Sequence, residues 1–300
     1  MTSTTPGAGF EYPRRSVSWL KRDVLLFANS IGVRAEDLQF LYKGNSAEIL
    51  DFYKEFASKG QGVAIPGVPK LDATRMVDAG RQMTFLKPLP LSSAGRQFEQ
   101  RMRVIGVYDK GKAGTIVATE TAVVDASNGE VYNKILANSF YIGQGVWGGP
   151  KGPPTSNYPP PGRRPDVIYK AKTTKETPFL YRRALILNGD TNPLHVVPEP
   201  GIKMGFKGNI IHGLFSYNVT AYAVLKTVGQ GNSVNLKQFE ARFASPVNPG
   251  DTLVVDIWKL GEVDDEGYEE IRFVTKVKGG ETVLSNGRAL VKSSSKESKI

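Results

Sequence analysis

Residues 214–228 read LFSYNVTAYAVLKTV, a run of helical character closed by Gly229. Four stretches rich in Val, Ile, Phe, Tyr and Thr follow it, at 235–247, 252–260, 268–278 and 282–292, and each reads as a strand. The first half of the chain has the same grammar. Lys21 to Val33 carries Val24, Leu25, Phe27 and Ile31 on an apolar period and is closed by Gly32. Residues 46–57 suggest a short helix or turn, and Leu71 to Gln82 reads as helical. Strand-like runs then lie at 81–91, 95–108, 115–124 and 131–142, separated by turn clusters such as Asp109-Lys110-Gly111-Lys112 and Ser127-Asn128-Gly129. A helix followed by an antiparallel meander, twice over, is an α+β unit duplicated, each curved sheet wrapping its own helix.

Residues 1–20 read as a loose arm, and residues 143–165, GQGVWGGPKGPPTSNYPPPGRRP, form the seam between the halves. That seam contains Gly143-x-Gly145-x-x-Gly148, a dinucleotide fingerprint by letter. Phosphate binding needs a helix directly behind the glycines, and Pro150, Pro153 and Pro154 forbid one. Trp147 and Trp258 read as packing residues, and the Asn218-Val219-Thr220 sequon falls inside a helix.

The 300 residues contain no cysteine, which excludes disulfides, zinc knuckles, iron–sulfur clusters and a thiol nucleophile. No metal site is expected, and no apolar run is long enough to span a membrane. Residues 1–15 have no apolar signal core. The net charge of +10 fits either plain solubility or an anionic partner. No nucleic-acid motif accompanies it, so no nucleic-acid partner is expected.

The two histidines both fall in residues 188–213, NGDTNPLHVVPEPGIKMGFKGNIIHG. On a helix, Asp190 and His195 would stand about 500° apart and so on different faces. Pro193 holds Asn192 extended, and Asn188-Gly189-Asp190 favours a turn, so this is a loop able to bring both side chains to one point. A carboxylate and an imidazole are the minimum for deprotonating a water and returning a proton elsewhere. Asn188 and Asn192 can brace the loop. Downstream, His212-Gly213 precedes the helix. The Gly213 N–H is either an oxyanion donor at a helix N-terminus or merely part of a tight helix entry. No Gly-x-Ser-x-Gly elbow is present.

Tyr181-Arg182-x(5)-Asn188-Gly189-Asp190-x-Asn192-Pro193-Leu194-His195, followed by His212-Gly213-Leu214, resembles the hydratase 2 motif of the MaoC-like (R)-specific enoyl-CoA hydratases. The resemblance covers roughly residues 20–292, with further landmarks at 23–28, 37–42, Lys87-Pro88-Leu89-Pro90 and 241–250. It is to the eukaryotic two-hot-dog form found in peroxisomal multifunctional enzyme type 2, with no room for that enzyme's dehydrogenase or sterol-carrier parts. The resemblance implies a degenerate N-terminal hot-dog over 1–150 that shapes the acyl site, a connector at 151–164, a catalytic hot-dog over 165–292 and a tail at 293–300. It implies a trans-2-enoyl-CoA substrate and no cofactor. Asp190 and His195 would grip the water, His195 taking its proton and Asp190 supplying Cα. The Gly213 amide would hold the thioester oxygen, with Asn188, Asn192 and His212 in support. The product would be a (3R)-hydroxyacyl-CoA within fatty acid β-oxidation. The basic excess then has a ligand in the CoA phosphates, although no particular Lys or Arg stands out in the sequence. A homodimer is the family expectation.

The chain departs from that form at Lys43, where Glu is common, at Ala79-Gly80-Arg81-Gln82, where a His-Gly-Glu-Gln-like stretch is common, and at Asn188, where Ser is common. Two rival readings follow: a hot-dog dehydratase acting on a secondary-metabolite acyl thioester, and a non-catalytic acyl-CoA-binding protein. Ser298-Lys299-Ile300 resembles a peroxisomal address read by an import receptor. Peroxisomal localisation is therefore expected, with the cytoplasm as the alternative.

Overall fold

The computed structural model describes residues 5–32, 64–185 and 192–292. Ten antiparallel strands make one sheet: β1 (Arg15–Val17), β2 (Met76–Phe85), β3 (Phe98–Asp109), β4 (Gly114–Asp125), β5 (Val131–Ile142), β6 (Val167–Lys172), β7 (Leu236–Phe243), β8 (Thr252–Val263), β9 (Glu269–Val277) and β10 (Thr282–Val291). Their spatial order is β1-β3-β4-β5-β2-β7-β10-β9-β8-β6. The helices are α1 (Lys21–Ser30), α2 (Thr177–Leu185), α3 (Pro198–Lys203) and α4 (Gly213–Thr227).

Helix α4 is the axis of the second half. Every residue from Leu214 to Leu225 is buried, as befits a helix apolar on most of its circumference. The second-half strands wrap it, with Phe239, Ala241, Leu253, Val255, Ile257, Ile271, Phe273 and Ala289 turned inward. This is the α+β hot-dog arrangement expected from the sequence. In α4, Asn218 is 1% exposed, so the sequon is closed to glycosylation.

The two half-sheets are not separate. Strands β2 and β7 pair edge to edge, with Arg81 opposite Ala241 and Met83 opposite Phe239. Each half otherwise ends in an unpaired edge, and joining them satisfies both rows of backbone groups. The Tyr217 hydroxyl of α4 sits on this seam, bonding the Phe239 carbonyl at 2.8 Å and the Arg81 carbonyl at 3.3 Å. Arg81 itself is buried beside Asp78, 3.6 Å away. Its departure from the family pattern thus lies at the joint between halves. Lys43 lies outside the described residues.

Four expectations need correction. Leu71 to Gln82 is not a helix: a 3-10 turn at Ala73–Arg75 runs directly into β2. Met76 to Asp78 pair with Tyr141 to Ser139, and this ladder overrides the local helix preference. A bulge between Asp78 and Gly80 breaks the period of two by which a strand would have been recognised. The strand expected at 81–91 ends at Phe85, because Pro88 and Pro90 cannot donate to a ladder. The strand expected at 235–247 likewise ends at Phe243, ahead of Pro246. The arm at 1–20 is partly ordered, β1 pairing with β3 through Arg15↔Gln100 and Val17↔Phe98.

The seam segment is held by Asp109. Its carboxylate accepts N–H groups from Gly111 (2.8 Å), Val146 (2.8 Å), Trp147 (2.7 Å) and Gly148 (2.9 Å). The glycines after β5 are therefore wrapped around a carboxylate, and no helix follows them. Both tryptophans pack as expected, Trp147 donating to Thr115 Oγ1 and Trp258 to the Arg163 carbonyl, each at 2.9 Å.

Candidate active site

The site is built where two turns meet at the N-terminal end of α4. Asn192 opens a 3-10 turn at Pro193–His195, its Oδ1 accepting the Leu194 N–H at 3.0 Å. Proline at the first position suits such a turn, since its missing N–H would have had no partner there. Asn192 thus braces the loop as its type suggested. The turn is pinned from the other side: Ile210 N–H donates to the Leu194 carbonyl (3.2 Å) and the Asn209 amide to the His195 carbonyl (3.4 Å).

This pinning buries His195, which is 6% exposed. Its Nδ1 lies 2.9 Å from the Ile210 carbonyl. A carbonyl can only accept, so Nδ1 carries the proton and Nε2 is the lone-pair nitrogen. In its neutral form this imidazole would accept a proton at Nε2. Its ring stacks on His212 with centroids 3.7 Å apart and planes within 24°. His212 is 4% exposed and is the N-cap of α4.

Gly213 is the first residue of α4, and no carbonyl among the described residues takes up its N–H. The helix dipole adds positive potential at that point, which suits a developing oxyanion. His195, His212, Gly213 and Asn192 are thus brought together. Asp190 and Asn188 lie outside the described residues, as do Ser298, Lys299 and Ile300.

A cleft of about 520 Å³ opens beside this cluster, lined by Lys175, Phe179, Val196, Lys207, Asn209 and Asn248 among others. Val196 follows His195, and Asn209 bonds the His195 carbonyl, so the cleft runs along the segment that carries His195. Two lysines and, among the described residues, no carboxylate line it. Sequence reasoning missed Lys175 and Lys207, because two lysines among 39 basic residues have no distinguishing period or motif. It also gave no role to Tyr181, which is fully buried and packs against His212 at 5.0 Å.

Two half-sheets joined edge to edge, the second wrapped around a helix with an oriented histidine at its N-terminus, point to a double hot-dog hydro-lyase. Comparison with known proteins agrees. Residues 18–143 match the MFE-2 hydratase 2 N-terminal domain, and residues 156–283 match the MaoC like domain. The chain is 42% identical to "Probable dehydratase NIT22" of Ajellomyces capsulatus, over 97% of this chain and 83% of that protein. It is 29% identical to "Enoyl-CoA hydratase 2, peroxisomal" of Arabidopsis thaliana, over 83% of this chain and 84% of the relative. The crystal structure of a MaoC-like dehydratase from Phytophthora capsici superposes with a TM-score of 0.80 at 27% identity, covering 97% of both chains. The chain belongs to the MaoC-like hydratase 2 family.

Proposed function

We infer that this chain reversibly hydrates trans-2-enoyl-CoA thioesters to (3R)-hydroxyacyl-CoA in fatty acid β-oxidation. The observation that carries this reading is the His195 imidazole, held through Nδ1 with Nε2 as the lone-pair nitrogen, at the same helix end as the Gly213 N–H. Water held between Asp190 and His195 loses a proton to His195 Nε2 as its oxygen bonds Cβ. Asp190 delivers a proton to Cα. The thioester carbonyl becomes enolate-like in between, and the Gly213 N–H bonds its oxygen. Proton return from His195 to Asp190 through solvent restores the starting state, so one water is consumed per turnover. No cofactor takes part, the CoA ester being the substrate itself.

Lys175 and Lys207 receive the CoA phosphates at the cleft mouth, which gives the basic excess a local use. The N-terminal half, 1–150, shapes the acyl site, and 165–292 carries the catalytic groups. The protein works as a homodimer in the peroxisome, imported through Ser298, Lys299 and Ile300. The peroxisomal name of the Arabidopsis relative supports that location.

The name of the Ajellomyces relative favours a second reading, in which the same groups run in reverse and dehydrate a 3-hydroxyacyl thioester of another pathway. The deciding experiment is chiral analysis of the product from crotonyl-CoA, alongside decenoyl- and branched enoyl-CoA. (3R)-hydroxybutyryl-CoA is expected. The S enantiomer would reject the assignment, and tight binding of every ester without turnover would leave an acyl-CoA-binding protein.

A further inference from the structure

The bond from His195 Nδ1 to the Ile210 carbonyl anchors one edge of the imidazole without defining its plane. Rotation about the histidine χ2 is broad, so the ring can still tilt by about 30° around that anchor and swing Nε2 off its line. Something must hold the plane, and the structure has a candidate. Four buried rings form a column. Phe215 meets Tyr181 edge-on at 5.4 Å, Tyr181 is tilted against His212 at 5.0 Å, and His212 stacks on His195 at 3.7 Å. The far end is fixed, because the Tyr181 hydroxyl accepts a hydrogen bond from Asn218 Nδ2 at 3.0 Å, deep in α4. The column therefore runs from the central helix to the base, and its third member directly precedes Gly213.

We propose that His212 is a positioning residue: its flat face, backed by Tyr181, holds the His195 imidazole in the one plane and tautomer that make Nε2 the base. The ring face performs this task and the ring nitrogens do not. A planar ring of similar size should therefore substitute for histidine, whereas a small side chain should not. The kinetic part of this proposal rests on the hydratase reading, and the spectroscopic part does not.

The test uses the full chain with His212→Phe and His212→Ala, read by nitrogen-15 NMR of the imidazoles and by kinetics with crotonyl-CoA. The chain has two histidines, so each variant leaves a single imidazole and its spectrum is unambiguous. Wild type and His212→Phe should show His195 protonated on Nδ1 alone at neutral pH. His212→Ala should show a mixture of tautomers. In His212→Ala, kcat should fall on the order of tenfold to a hundredfold with KM within about twofold, and His212→Phe should recover kcat to within about threefold of wild type. A single tautomer or an unchanged kcat in His212→Ala overturns the proposal. So does a His212→Phe protein as impaired as the alanine variant, since the nitrogens would then be needed. Absence of turnover in wild type would instead defeat the hydratase reading, and the tautomer spectra would still decide the role of His212.

Discussion

Gly213 lies so close to Phe243 that a Cβ on the glycine would stand 3.2 Å from two carbons of the ring. Phe243 cannot withdraw freely, because it ends β7 and packs on Tyr217 of the central helix, ring centroids 5.8 Å apart. Gly213→Ala should therefore destabilise the fold by about 1–3 kcal/mol through overpacking. It should also lower kcat by on the order of tenfold or more, since the added methyl would stand beside the N–H proposed to meet the oxyanion. A second change, Phe243→Leu, makes room for the methyl. The double variant should regain Tm while kcat stays low. Full recovery of kcat would mean that Gly213 serves only the packing of the helix entry.

His195→Gln and Asp190→Asn should each lower kcat by at least ~10²-fold, the usual scale for removal of a general acid or base. Both should melt within a few degrees of wild type, because neither substitution removes apolar bulk from the core. Hydration of crotonyl-CoA followed by loss of the enoyl absorbance, with a thermal melt on the same samples, checks both points. An Asp190→Asn enzyme with wild-type kcat would remove the carboxylate from the mechanism and leave His195 acting alone.

The strands at 115–124 and 131–142 were legible in sequence because their β-branched and aromatic residues alternate between clear turn clusters. Helix α4 was legible because Gly229 stops it. Strand β2 was not: Met76, Ala79 and Gln82 favour helix locally, and only pairing to β5 and β7 makes them extended. Strand β6 was hidden behind the Pro159-Pro160-Pro161 run, and α2 behind a short segment whose start is marked by Thr177 Oγ1 accepting the Thr174 N–H and Thr174 Oγ1 accepting the Glu176 N–H. At the site, His195, Asn192 and Gly213 could be singled out because residue type and spacing carry chemistry. The stacking of His212 on His195 could not be read, because it depends on how Ile210 and Ile211 are pinned to Leu194 and Val247.

Lys175 and Lys207 line the cleft, and no carboxylate is among its described lining residues, so the two charges can meet an anionic ligand there. The double variant Lys175→Gln, Lys207→Gln should raise KM for crotonyl-CoA on the order of tenfold, the worth of one charge-assisted hydrogen bond. A crotonyl thioester of N-acetylcysteamine, which has no phosphates, should show no change between wild type and variant. The wild-type KM for the CoA ester should also rise with ionic strength more steeply than that of the variant. Equal effects on both thioesters would place the two lysines elsewhere than at the phosphates.

Asp109 offers a test of what holds the two halves' connector in place. Burial alone would raise its pKa, but hydrogen bonds from the N–H groups of Val146, Gly111, Gly148 and Trp147 outweigh it and hold the value below the ordinary 3.8. A depressed folded value means that the ionised carboxylate stabilises the fold above the unfolded pKa. That contribution fades as pH falls through the lower folded value. Asp109→Asn puts an amide NH₂ where donors already converge, so at neutral pH it should lower Tm by several degrees. The gap between variant and wild type should persist down to about pH 4 and close below it as the wild-type carboxyl takes up its proton. Thermal melts of both proteins across that range check the sign. A gap that stays constant into acid would mean that Asp109 holds the connector by shape and not by charge.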